Sequence, residues 1–255
     1  MLKCEDNVEN IEGVMKMLKE FCAENFTNVP QAIANGAKRI ELCDNLTVGG
    51  TTPSAGVIES TVAYAHDHGV PVMTIIRPRG GDFVYNDYEL KIMETDLIEA
   101  KKLGTDGVVI GCLTADGDLD EEALDVLIDR AIGLPITFHM AFDAMPVEKQ
   151  FTAIDWLAEH GIDRILTHGG PAGVPISEHY EHLKALIAYA NGRILILPGG
   201  GITHDNAAEV AQTLGVPEVH GTKIIALQQK ITQINKNRPK SDQSVILLRR
   251  VFAMQ

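Results

Sequence analysis

The chain has 255 residues, 45% of them apolar, enough to bury one large core. The formal charge is −13; residues 226–255 carry six Lys/Arg against one Asp and residues 1–16 two Lys against four acids, which puts the body between them at −16 and disfavours nucleic acid and anionic lipid as partners. The apolar runs are short and the first residues include Glu5, Asp6, Glu9 and Glu12, which argues against a membrane span and a signal peptide and leads us to expect a cytoplasmic protein.

In chain order, runs suited to β-strands fall at residues 19–24, 39–44, 70–77, 107–113, 135–143, 164–168, 193–197 and 218–223. Helical patterns separate them and close on Gly36, Gly69, Gly104, Gly133, Gly161, Gly192 and Gly215. Glycine just past a helix adopts the left-handed conformation freely, so each marks a helix end feeding a strand. Ser54, Asn86 and Pro146 mark helix starts at 55, 87 and 147. Strand and helix alternating eight times predict an α/β protein with a single (β/α)8 TIM-type barrel; a doubly wound open sheet is the alternative. We expect an N-terminal extension over residues 1–16, the barrel over 17–225, and a C-terminal extension over 226–255, in which 226–236 suits a last helix and 245–252 an apolar, basic tail.

Side chains alternate along a strand, so one parity meets the helices and the other the barrel interior. Phe21, Ala23, Ile40, Leu42, Ile76, Ile136, Phe138, Met140 and Val219 suit the helix side. That leaves Glu20, Cys22, Glu24, Glu41, Cys43, Arg77, Thr137, His139, Glu218 and His220 pointing inward. Charges in such a core cost several kcal/mol each unless paired. Either Glu20, Glu41 and Arg77 form a buried ion network that only fixes register, or the interior is a site. Active sites in this fold lie at the C-terminal strand ends, where Arg77, Asp143, His168 and Lys223 are expected.

Two loops suit anions. Gly199, Gly200 and Gly201 follow the seventh strand, with Gly221 in the eighth; backbone N–H groups leading into a helix after Thr203 would cradle a phosphate, unless this is a plain tight turn. Arg77 and Arg79, beside Gly80 and Gly81, suit bidentate binding of a carboxylate or phosphate, unless Arg79 merely pairs with Asp82. Cys4, Cys22, Cys43 and Cys112 lack metal-motif spacing and read as reduced thiols.

The strings Arg39-Ile-Glu-Leu-Cys43, Gly49-Gly-Thr-Thr-Pro-Ser54, Ile76-Arg-Pro-Arg-Gly-Gly-Asp82, Thr137-Phe-His139, Ala141-Phe-Asp143 and Glu218-Val-His220 closely resemble the copper homeostasis protein CutC family, over about residues 17–225. The resemblance implies a (β/α)8 barrel, a role in intracellular copper handling, and Cu(I) ligation by Cys22 and Cys43. The chain departs from the family pattern at Met140, commonly Arg, and at His168, commonly Ser.

Three functions follow as expectations. Cys22 and Cys43 sit at matching parity on strands about 4.8 Å apart, so their sulfurs could share a Cu(I), although Glu20 and Glu41 oppose a dithiolate and buried cysteine is common without any role. Alternatively, Glu20, Glu41, Arg77, His139, Asp143 and His220 would run acid–base chemistry of an isomerase, lyase or aldolase type on a small anionic or phosphorylated substrate. A non-catalytic binding or scaffold protein is the third. No organic cofactor is expected, and a homo-oligomer is left open.

Overall fold

The computed structural model describes residues 17–227, so the expected N-terminal extension and the chain from 228 onward lie outside the described residues. Eight strands alternate with seven α-helices: β1 (Leu18–Glu24), α1 (Val29–Ala34), β2 (Arg39–Cys43), α2 (Ala55–Asp67), β3 (Val72–Ile75), α3 (Asp87–Lys102), β4 (Gly107–Ile110), α4 (Glu121–Ala131), β5 (Ile136–Phe138), α5 (Val147–Glu159), β6 (Arg164–Thr167), α6 (Tyr180–Ala190), β7 (Leu195–Pro198), α7 (Ala207–Leu214) and β8 (Glu218–Gly221). All pairings are parallel, in the order β7-β6-β5-β4-β3-β2-β1-β8, so β8 returns to β1. The last seam, β7 against β8, is bridged above the strands by Thr203 and Lys223, with His204 N–H donating to Lys223 O at 2.9 Å. The barrel is therefore nearly closed, and its loosest seam adjoins the glycine-rich turn.

Local chemistry explains the rhythm. All seven helix-ending glycines have φ between 66° at Gly69 and 101° at Gly36, backbone that a Cβ would strain. Helix α3 opens with a capping box of Asn86 and Glu89, carries Asp87 in its first turn and ends on Lys101 and Lys102, matching the helix dipole at both ends.

Alternation along the strands separates two cores. Phe21, Ala23, Ile40, Leu42 and Phe138 pack between strands and helices, with Phe21, Ile40, Leu42 and Phe138 each contributing about 1.5–3 kcal/mol. Cys22, Cys43, Met73, Ile75 and Val109 pack inside the barrel.

Two expectations are corrected. The fifth strand stops at Phe138 instead of running to 143, because His139 Nδ1 accepts the Ala141 N–H at 3.2 Å and turns the chain into a 3-10 helix, Met140–Ala144. Met140 consequently lines the barrel mouth and not the helix side. Helix α7 starts at Ala207, not after Thr203, because Asn206 Oδ1 accepts the Thr203 N–H at 2.8 Å and Asn206 Nδ2 donates to Gly201 O at 3.1 Å, closing a turn first.

Candidate functional site

The barrel floor is an ion network set by register. Glu20 lies opposite Arg39 of β2 on one side and His220 of β8 on the other. Arg39 Nε donates to Glu20, and its Nη2 to Glu218 at 2.6 Å, which Arg164 Nε also reaches at 3.2 Å. His220 Nδ1 donates to Glu20 at 2.8 Å, and its Nε2 faces Glu41 at 3.4 Å. The expected partner of the two carboxylates, Arg77, is not in this network: it stands beyond the C-terminal end of β3, whereas Arg39 opens β2 at the floor. Carrying the inward parity of Glu41 back by two residues would have found Arg39. Glu24 also departs from expectation; it is exposed at the end of β1 and accepts the Leu46 N–H at 3.0 Å.

These contacts set the charges. Burial pushes Glu20 up, but the hydrogen bond from His220 and the Arg39 charge overcome it and hold its carboxyl near 2. Burial raises Glu41, and neighbouring Glu20 adds to the shift despite His220. Burial would lower His220, yet Glu41, Cys22 and Glu20 together raise it well above the usual imidazole range, so it stands as an imidazolium between two carboxylates.

One step up, Cys22 Sγ and Cys43 Sγ lie 3.9 Å apart, both buried. With a Glu41 carboxylate oxygen they form a group whose potential ligand atoms all lie within 4.8 Å of one another. The contact to Cys43 and burial raise the Cys22 thiol well above its normal range. For Cys43 the contact to Cys22 works downward, but burial and Glu41 prevail and push it to about 11. Both are therefore thiols until something displaces their protons. Two sulfurs on one ion need a separation below twice a metal–sulfur bond of about 2.3 Å, a condition the pair meets without backbone movement. Two soft donors and one carboxylate fit a soft monovalent ion better than a hard one.

Above the thiols a cavity of about 400 Å³ opens at the mouth, lined by Cys22, Glu41, Cys43 and His220 below and by Arg77, Phe83, His139, Met140, Gly200, Gly201 and Lys223 toward the rim. Arg77 is buried, its Nη1 donating to Val48 O and Gly50 O and its Nη2 to Gly81 O, all at 2.9 Å. Burial and the Arg77 charge lower His139 to about 3, so its imidazole is neutral and cannot exchange protons near neutral pH as expected of it.

Other expected site residues are placed elsewhere. Asp143 lies on the 3-10 turn and faces β6, accepting from Thr167 Oγ1 at 2.5 Å, His168 N–H at 2.9 Å and Gly169 N–H at 3.1 Å. Arg79 is outside the cavity lining, paired with Glu89 at 2.5 Å and Asp82 at 3.0 Å, and so orders its own loop. Gly199 N–H is taken by Thr167 O at 2.9 Å, while Gly200 and Gly201 donate no backbone hydrogen bond among the described residues. Gly221 lines the cavity, but an added Cβ would stand 2.5 Å from Ile202 O, so close approach of the seventh loop accounts for this glycine.

Comparison with known proteins places these residues in context. The sequence model of the CutC family matches residues 17–225. A family protein CutC from Enterococcus faecalis is 74% identical over 209 residues, covering 82% of this chain and all of the relative. The human copper homeostasis protein cutC homolog is 41% identical over 207 residues, covering 80% of this chain and 72% of the relative. Among solved structures, CutC from Streptococcus agalactiae superposes with a TM-score of 0.80 at 50% identity, covering 82% of this chain and 99% of that one.

Proposed function

Because this chain belongs to the CutC family, we propose that it takes part in copper handling by holding Cu(I) between Cys22 and Cys43. The observation that carries the reading is the 3.9 Å separation of the two sulfurs at the bottom of an open cavity, with Glu41 beside them. Cu(I) is here cargo, and its affinity for thiolate sulfur supplies the binding chemistry. Cys22 and Cys43 would each release a proton on ligation, and the His220 imidazolium would offset the negative charge that two thiolates and Glu41 accumulate. The buried thiols of Cys22, Cys43 and Cys112 fit a reducing compartment, and we assign the protein to the cytoplasm.

Anaerobic titration with Cu(I) against a chromophoric competitor tests this. The full chain should take up about one ion through its soft sulfur pair, and Cys22→Ser combined with Cys43→Ser should abolish uptake. Equal uptake by the native protein and the double variant would overturn the dithiolate site. A parallel titration with Zn²⁺ should show weaker retention of the harder ion.

A further inference from the structure

The cavity roof carries donors that the thiol pair does not use. His139 is 4% exposed, and the Ala141 N–H donates to its Nδ1, so Nδ1 is an acceptor and the ring proton sits on Nε2. That Nε2 is buried and has no hydrogen-bond partner among the described residues. Arg77, 3% exposed, differs: both terminal nitrogens are committed to loop carbonyls and the guanidinium also interacts with the Tyr85 hydroxyl, so it brings its charge to the cavity and not a free N–H. Phe83 joins the two groups, its ring centroid 4.9 Å from the His139 ring and 4.8 Å from the Arg77 guanidinium carbon. Across the mouth stand Lys223 and the uncommitted N–H groups of Gly200 and Gly201. In a chain of net charge −13, the cavity lining carries Arg77 and Lys223 against the single carboxylate of Glu41.

We propose that the mouth is a second binding site, for a small molecule bearing a carboxylate or phosphate group, whose oxygens are received by His139 Nε2–H, with the Arg77 charge beside it and Lys223 at the rim. The geometry selects an oxyanion because the buried unpartnered group there is a donor, an imidazole whose Nδ1 accepts from Ala141 and whose proton is on Nε2, with backbone amides across from it. His139 acts by donating a hydrogen bond and not by moving a proton. The cavity volume of about 400 Å³ admits a metabolite and not a polymer. Cys22 and Cys43 take no part, so the site stands or falls apart from copper binding.

The test is titration of the metal-free full chain with inorganic phosphate and, separately, with acetate and oxalate. Binding is followed by calorimetry and by the ¹⁵N and ¹H resonances of the His139 ring. Saturable binding of at least one salt should move the Nε2–H signal. His139→Phe, which removes the donor, should weaken it about ten- to a hundredfold, the usual loss of a hydrogen bond to a charged acceptor. His139→Gln, whose amide places an N–H near the same point, should recover part of the affinity, and Cys22→Ser with Cys43→Ser should leave it unchanged. Binding of phosphate alone, or of carboxylates alone, identifies which oxyanion the site takes. No saturable shift with any of the three salts overturns the proposal, as does equal affinity in His139→Phe. Should that variant fail to fold, the His139 resonances of the native protein decide the matter.

Discussion

Cys22 and Cys43 are not register partners, yet their sulfurs meet 3.9 Å apart. Cys22 sits opposite Glu41 and Cys43 opposite Glu24, so the thiols approach along a diagonal between neighbouring strands and leave Glu41 beside them. A direct pairing would have put the sulfurs side by side and the carboxylate one step away. The diagonal instead builds a group of three donors from two short strands.

The first consequence is slow thiol chemistry. Cys43 is pushed to about 11 and Cys22 well above its normal range, so almost no thiolate exists at neutral pH. Alkylation of Cys43 by iodoacetamide near neutral pH should run about two orders of magnitude slower than for an ordinary cysteine of pKa about 8.5, and Cys22 should also be slowed. Mass spectrometry of peptides from native and denaturant-unfolded protein checks this, and equal rates in the two states would show that the thiols are not held protonated.

The second concerns the floor. Arg39 compensates Glu20 and Glu218 with a side chain only 5% exposed. Arg39→Met removes the counter-ion that the two carboxylates share, leaving Glu20 to His220 and Glu218 to Arg164, and should cost up to about 3–5 kcal/mol in urea unfolding. Adding Glu20→Gln should recover part of the loss, because it removes one carboxylate left short of counter-charge. A single-variant cost below about 1 kcal/mol would show that the network contributes little.

Why Arg39 escaped a reading of the sequence is instructive. A charged residue opening a strand looks like a solvated end unless the inward parity of Glu41 is carried back to it, and the arrival of Glu20 and Glu218 from two other strands makes it a buried counter-ion. The parities of Phe21 against Cys22 and of Leu42 against Cys43 were legible because period-2 alternation holds wherever the chain stays extended. It failed at Met140, where the His139 side chain caps a 3-10 turn and ends the extended run. Arg77 was legible as an inward residue. Its commitment to Val48, Gly50 and Gly81 was not, since loop carbonyls leave no mark in sequence.

Asp143 gives a third test. Its half-buried carboxylate accepts from Thr167, His168 and Gly169 and ties the 3-10 turn to the end of β6. Asp143→Ala should lower stability by about 1–3 kcal/mol through donors left unpaired, with Cu(I) stoichiometry unchanged because the carboxylate is outside the cavity lining. Loss of Cu(I) uptake in a folded Asp143→Ala protein would contradict this placement.

The last prediction uses the opposite shifts of two histidines in one barrel. His139 is lowered to about 3 by burial and by Arg77, against about 6.5 in the unfolded chain. Between those values the unfolded state binds a proton that the folded state refuses, so the contribution of His139 is complete above about pH 6.5 and is lost as pH falls toward 3. For His220 the sign reverses. Glu41, Cys22 and Glu20 outweigh burial and raise it, so its contribution is complete below the unfolded value and is lost as pH rises through its high folded value. His139→Gln removes only the first effect. Urea unfolding of native and His139→Gln proteins between about pH 4 and 6.5 should give stabilities whose slopes differ by up to one proton, about 1.4 kcal/mol per pH unit, with the native protein steeper. Parallel curves would mean that the imidazole is already protonated in the folded state, and that the roof of the cavity carries a charge and not a neutral donor.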